Sequence, residues 1–341
     1  MSIRVGLIGA GSISETHARA AQAIPGVEIV AVHGGNPERA ARLAAVCGAA
    51  ACPDLESFFA YPMDIAIIGS PSGLHAQQGI EAASRGVHVL VEKPIDGNVE
   101  RADALIAAAR SARVKLGVLF QDRGRPSFVR LRAALAEGRL GRPLLASARV
   151  KWFRPPDYYS QSKWRGTWAL DGGGALMNQG IHTVDLLLWL LGPVRRLSAR
   201  TATQHHAVEV EDTALAWLEF ENGALATFEA TTAAYPGYPR RVELTTEVGT
   251  FVIEHDRVIA TDTIQPFDEF AAPDAGDANA SASSPVVSDA GAHQRMIEDF
   301  IQAIREDRDP CCPGTEARRS LVVAKAMYES SRTGRIVEVG T

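Results

Sequence analysis

The chain has 341 residues, 46% of them apolar, with 35 Lys and Arg against 40 Asp and Glu and a formal net charge of -5. That length favours two domains, either able to bury a full core. The balanced, slightly acidic charge excludes a basic nucleic-acid footprint and an acidic tail.

The first 120 residues alternate short apolar runs with helical patterns. The runs are Ile3–Ile8, Val27–Val32, Ile65–Ile68, His88–Val91 and Val114–Phe120. Between them Thr16–Ala23, Pro37–Cys47, Gln77–Ser84 and Val99–Ser111 carry helical periodicity, with Gly48 just past the end of the second. Strands apolar throughout and linked by helices imply a parallel sheet covered on both faces, the doubly wound α/β pattern.

The character changes after Phe120. Phe128–Glu137 reads as helix and Leu144–Trp152 as strand, followed by one long apolar helix, Ala175–Leu191. Leu215–Phe220, Ala224–Ala230, Arg241–Thr246 and Gly249–Ile253 alternate apolar with polar residues, and Asn222-Gly223 is a hairpin turn. Thr263–Ala292 reads as a long surface loop, and His293–Glu306 and Arg318–Ser331 as closing helices. The pattern predicts a first domain over 1–122 and a second over 123–341, with the chemistry in the crevice between them.

No apolar run reaches the roughly 18 residues of a membrane span. The stretch from Met1 to Ile8 is too short for a signal peptide, so the cytoplasm is the expected address. Cys47, Cys52, Cys311 and Cys312 form no Cys-x-x-Cys and predict reduced thiols rather than zinc ligands. His205 and His206 with Glu209, Glu211 and Asp212 read as a strand approach with charges facing solvent, so no metal site is expected.

Gly9-Ala10-Gly11-Ser12-Ile13-Ser14 follows the first strand. Gly9 allows a tight turn, Gly11 lets the backbone approach a pyrophosphate, and the helix beyond offers free N–H groups. The third fingerprint position, normally Gly or Ala, is Ser14. No carboxylate stands directly at the end of the second strand. Gly34, Gly35 and Asn36 leave room for a 2′-phosphate and Arg39 would neutralise it, which favours NADP on these residues alone.

Glu92-Lys93-Pro94 ends the strand at 88–91, where Pro94 biases Lys93 towards extended geometry. In the second domain Asn178, His182 and Asp185 stand at i, i+4 and i+7 and share one face if the long helix is regular.

With these motifs on the page, the chain resembles the glucose–fructose oxidoreductase / inositol dehydrogenase / MocA family along nearly its whole length. The Gly9–Ser14 turn, Ser70-Pro71 followed by His75, Glu92-Lys93-Pro94, and the Gly172-Gly173-Gly174 helix with His182 and Asp185 carry the resemblance. It implies an N-terminal Rossmann domain and a C-terminal α+β domain with a large, mostly antiparallel open sheet that makes a homodimer or homotetramer. It also implies Lys93 and His182 as the catalytic pair, with His182 as first choice of base and Lys93 on the same substrate oxygen. Many family members carry Asp where this chain has Asn178.

Implied cofactor contacts are Gly9, Gly11, Ser12, Ile13, Gly34, Asn36, Arg39, Ser70, Pro71, His75, Glu92, Lys93 and Gln121. Implied substrate contacts are Lys93, Tyr158, Trp164, Arg165, Asn178 and His182. The stretches Lys151–Tyr159 and Trp164–Trp168, with Asn178-Gln179, are similar to the branch acting on UDP-N-acetylglucosaminuronate. That branch uses NAD, so the cofactor is left as NAD or NADP. The expected reaction moves a hydride between nicotinamide and a secondary alcohol or ketone of a sugar, nucleotide sugar or polyol. The alternatives are a keto-sugar or aldose oxidoreductase with non-dissociating NADP, and a non-catalytic NAD(P)-binding sensor.

Overall fold

The computed structural model describes residues 2–161, 164–265 and 290–340. Two compact units emerge, one of Met1–Gly124 with Val286–Arg318, the other of Arg125–Pro285 with Arg319–Thr341.

The first unit runs β1 (Ile3–Ile8), α1 (Ser12–Gln22), β2 (Val27–His33), α2 (Pro37–Cys47), β3 (Ala50–Cys52), α3 (Leu55–Phe59), β4 (Ile65–Ile68), α4 (His75–Ser84), β5 (His88–Glu92), α5 (Val99–Ala112) and β6 (Leu116–Leu119). Its six strands are parallel in the order β3-β2-β1-β4-β5-β6. Every residue of β4 and β6 is buried, which is why these runs show no polar alternation. Asn36 caps α2 by accepting the Arg39 N–H at 2.9 Å, and Asn98 caps α5 by accepting that of Arg101 at 2.9 Å.

The second unit continues with α6 (Pro126–Ala136), β7 (Pro143–Lys151), α7 (Pro156–Ser160), a wide π-type turn over Ala175–Gly180 and α8 (Ile181–Leu191). Then come β8 (Val194–Ala202), β9 (Thr213–Phe220), β10 (Leu225–Thr231), β11 (Arg241–Thr246), β12 (Gly249–Glu254) and β13 (Arg257–Thr263). After them follow α9 (Gly291–Arg305), α10 (Gly314–Thr333) and β14 (Val337–Glu338). The eight strands order β13-β12-β11-β7-β10-β9-β8-β14, with β7–β10 parallel and the other pairs antiparallel. One face is buried through small residues, Ala146 and Ala148 on β7, Ala226 on β10 and Ala214 and Ala216 on β9. Gly180 belongs to that packing, since a Cβ there would lie 2.8 Å from the Phe228 ring.

Three sequence expectations change, and a fourth falls mostly outside the described residues. Residues 286–318 do not belong to the second unit: α9 buries Met296, Ile297, Phe300 and Ile301 in the first. Gly117 on β6 makes this possible, because a Cβ there would stand 2.8 Å from the Phe300 ring. Ala175–Leu191 is not one regular helix, because its first six residues wind as a π turn. The segment at 203–212 is irregular rather than strand-like, and Glu211 and Asp212 are buried instead of facing solvent. Most of the expected loop Thr263–Ala292, residues 266–289, lies outside the described residues.

Candidate active site

In the first unit the Gly-rich turn joins β1 to α1. Gly9 has φ +119°, and a Cβ on it would stand 2.6 Å from the Gly69 carbonyl oxygen, so glycine is required twice over. Around Gly11 the situation is opposite: no heavy atom lies within 4 Å of a Cβ built there. Gly11 is the N-cap of α1 with no side-chain cap, so the N–H groups of Ser12 and Ile13 are left for an anion. Ser14 is buried against Gly9 and Gly69, and its Oγ finds no hydrogen-bond partner among the described residues. At the end of β6 the Gln121 Oε1 is likewise buried and unpartnered among the described residues. An open glycine, uncapped helix N–H groups and an orphaned amide oxygen fit a dinucleotide. Gly34 packs onto this turn, a Cβ on it falling 2.9 Å from that of Ala10, while Arg39 is exposed.

The loops after β4 and β5 are tied together by His75, whose Nε2 stands 2.8 Å from the Ser70 carbonyl and whose Nδ1 stands 2.9 Å from the Pro94 carbonyl. The Ser70 hydroxyl donates to Gln78 at 2.6 Å. Lys93 is half-buried and joined to Pro94 by a cis peptide bond. The side chains of Glu92 and His75 turn inward, 5% and 1% exposed, and brace the Ser70-Pro71 and Lys93-Pro94 loops. Glu92 meets His17 of α1 at 2.9 Å and His293 of α9 at 3.7 Å. The ligand-capable atoms of these three residues lie within 4.8 Å of one another, yet the shortest separation is that of a hydrogen bond. Sequence reasoning missed His17 and His293, which are remote in the chain and stand in no motif of their own.

In the second unit the π turn and α8 carry Asn178, His182 and Asp185. Asn178 donates to Asp171 Oδ1 at 2.6 Å, while the buried Asp185 accepts from the Ser320 hydroxyl at 3.0 Å. The single face drawn from regular spacing therefore does not form, although His182 remains half-buried on the first turn of α8. Gln179 donates to the Tyr158 hydroxyl at 2.9 Å and accepts from Arg154 at 3.2 Å. Arg165 lies over the Tyr158 ring at 4.2 Å and over Trp164 at 5.3 Å, and Arg154 approaches the same Tyr158 ring at 5.5 Å. Of the predicted substrate contacts, Tyr158, Trp164 and Arg165 thus form one cluster. Burial pushes the Tyr158 phenol up, so it stays a neutral donor and acceptor.

Glu211, missed as a functional group, anchors this segment. Its carboxylate accepts the N–H groups of Gly174 at 3.0 Å and Leu176 at 2.8 Å and the Tyr328 hydroxyl at 2.9 Å. Burial pushes the Glu211 carboxyl up to about 7 against those hydrogen bonds. Burial also pushes the Cys311 thiol up, away from thiolate chemistry.

Comparison with known proteins matches these features. Residues 3–120 match an oxidoreductase family model described as an NAD-binding Rossmann fold, and residues 128–252 match the GFO/IDH/MocA C-terminal domain. The 1,5-anhydro-D-fructose reductase of Ensifer adhaerens is 27% identical, covering 99% of each chain. Inositol 2-dehydrogenase of Rhizobium meliloti is 26% identical over 99% of this chain and all of its own. A crystal structure of the WlbA dehydrogenase from Bordetella pertussis, in complex with NADH and UDP-GlcNAcA, superposes with a TM-score of 0.89 at 32% identity and covers 100% of both chains. The chain belongs to the GFO/IDH/MocA family of oxidoreductases acting on CH-OH groups, and its first unit is that family's NAD-binding Rossmann domain.

Proposed function

We propose that this protein oxidises a secondary alcohol on the sugar ring of an anionic nucleotide sugar, using NAD. The observation that carries the substrate class is the Tyr158 ring shared by two guanidiniums, Arg165 at 4.2 Å and Arg154 at 5.5 Å. Flat faces suit a sugar ring, and the exposed part of a guanidinium pairs with carboxylate or phosphate in bidentate fashion. The likeness to the WlbA dehydrogenase, whose structure holds UDP-GlcNAcA, supports the same class.

Bound NAD supplies the two-electron acceptor. Ser12 and Ile13 would hold its pyrophosphate through their N–H groups, with Gly9 and Gly11 giving the backbone approach. The preference for NADP read from Gly34 to Arg39 yields to NAD. Asn36 is engaged as the α2 cap, the family model is NAD-binding, and the bacterial neighbour holds NADH. His182 takes the hydroxyl proton as general base. Lys93 hydrogen-bonds the same oxygen, Arg165 holds the anionic group and Asn178 lines the substrate side.

We further infer a homo-oligomer closed through the outer face of the large sheet, where Leu145, Leu215 and Leu225 are half exposed.

The test is turnover of UDP-linked hexuronic acids, free aldoses and inositols with NAD and with NADP. The expected result is NAD reduction with the UDP-hexuronic acid. Lys93→Ala and His182→Ala should each lose about 100-fold or more in kcat while NAD binding persists. Turnover of inositol or free aldoses alone would overturn the substrate class, and normal turnover by both variants would overturn the assigned pair.

A further inference from the structure

Three successive N–H groups open the π turn, and one residue from a distant segment accepts all of them. The Glu211 carboxylate takes those of Gly174 at 3.0 Å and Leu176 at 2.8 Å, and the Glu211 backbone carbonyl takes that of Ala175 at 2.9 Å. The opening N–H groups of a helix have no acceptor within it, and Gly174 at the N-cap position brings no side-chain cap. Glu211 therefore caps the turn in trans. A third segment holds the carboxylate in place, since the Tyr328 hydroxyl of α10 donates to the same Oε1 at 2.9 Å. Glu211 is 3% exposed, so solvent offers these donors no substitute acceptor.

The turn decides what α8 presents. A π turn carries about one residue more than an α turn, which rotates the side chains beyond it by about 100° around the axis. In a regular helix Asn178 and His182, four residues apart, would share a face. With the wide turn between them, Asn178 reaches Asp171 at 2.6 Å while His182 stands on the first turn of α8. Gly180 fixes the far end of the turn by close packing, its Cβ position falling 2.8 Å from the Phe228 ring. Glu211 fixes the near end.

We propose that Glu211 is a positioning residue for the oxidation: by capping the π turn it keeps that turn wound, and so sets where His182 and Asn178 stand. This rests on the reading of His182 as the base, and it names the residue that aims it. Glu211 itself exchanges no proton with the substrate. With the cap weakened, the turn relaxes towards regular helix, Asn178 leaves Asp171 and His182 swings out of line with the substrate oxygen.

The test is a double-mutant cycle on the full-length chain, with amide hydrogen exchange as a second readout. Glu211→Gln keeps the side-chain shape but sets an NH2 where Oε2 now stands 3.1 Å from the Gly174 nitrogen, donor against donor. Its kcat is expected to fall about 10-fold while the Kd for NAD stays unchanged. In the His182→Ala background the same substitution should cost less than about 2-fold, because the group it aims is already gone. The peptide covering 174–180 should exchange about 10-fold faster in Glu211→Gln and at the wild-type rate in His182→Ala. A merely structural role would lower the melting temperature and leave the kcat of the folded enzyme in place. That outcome overturns the proposal, as do equal losses in both backgrounds when His182→Ala is itself impaired, or unchanged exchange at the turn. Where Glu211→Gln does not fold, Tyr328→Phe, which removes one donor from the carboxylate, goes through the same cycle with an expected loss of about 3-fold. Normal turnover by His182→Ala would overturn the base instead; a loss of kcat in Glu211→Gln would then leave Glu211 positioning the turn through Asn178.

Discussion

Asn178 donates its side-chain amide to Asp171 at 2.6 Å, and Asp171, 2% exposed, also accepts the Gly166 N–H at 2.9 Å. This pair accounts for the departure from the Asp that many family members carry four residues before the histidine. A second carboxylate there would face Asp171 at hydrogen-bond distance in a buried setting. Asn178→Asp is expected to cost about 1–3 kcal/mol at neutral pH, the price of a lost donor and a like-charge contact. The new carboxyl titrates above its unfolded value, so the penalty is complete above that raised folded value and disappears below the ordinary carboxylate range. Urea midpoints of wild type and variant between pH 3 and pH 8 check this; a constant difference across that range would contradict it.

Glu211 makes a second pH prediction, of the same sign. Its folded-state carboxyl is pushed by burial up to about 7, from a reference of 4.5. The folded state then holds a proton that the unfolded state has lost between those values. Stability is expected to decline as pH rises from about 4.5 to 7, by an amount on the order of 3 kcal/mol from this group. Glu211→Gln removes that slope and is compared with wild type by thermal melts across the interval. Parallel curves would show that Glu211 stays ionised throughout.

The first unit was legible because its physics is local. Buried parallel strands read as unbroken apolar runs, and Gly9 and Gly11 announce the turn and Gly48 the end of α2 within a few residues. Asn36, by contrast, was read for a phosphate and is the cap of α2. β3 and α3 escaped because three and five residues are too few for a period. β8 escaped because Arg195, Arg196 and Arg200 break its alternation. The π turn was invisible: nothing in Ala175–Gly180 distinguishes it from helix, and Glu211, Tyr328 and Phe228, which shape it, come from distant segments. Lys93 and His182 are proposed from motif, whereas His17 and His293 meet at Glu92 only once α1 and α9 have packed.

The approach to the π turn tolerates no side chain. A Cβ on Gly174 would stand 1.8 Å from the Glu211 carbonyl oxygen, and that atom is backbone. Gly174→Ala must therefore shift the strand-leading segment that holds Glu211 or break the Gly174–Glu211 hydrogen bonds. The expected loss is about 3 kcal/mol or more, within the range of severe overpacking. Chemical denaturation reads the loss, and NAD binding by the first unit should survive at temperatures where the variant remains folded. A loss under about 0.5 kcal/mol would mean that the loop repacks freely.

The outer face of the large sheet carries the last prediction. Leu145 and Leu225 are direct cross-strand partners, and Leu215 sits opposite Glu229 on the neighbouring pair. All three are exposed, at 51%, 50% and 57%, with Trp217 beside them at 38%. Charges stand among them: Glu229 is opposite Leu215 and Glu219 opposite Leu225, with Arg149 paired to Glu229 on the next strand. If a second copy covers the patch, Leu215→Arg with Leu225→Arg places two long charged side chains in each half of the contact, beside Glu229 and Glu219, and burying them against the partner costs desolvation. The double variant should then be monomeric by light scattering coupled to size exclusion, where wild type is an oligomer. Its melting temperature measured at high dilution should match that of wild type, because neither leucine supports the fold of a single chain. An unchanged mass for the double variant would place the oligomer contact on another surface.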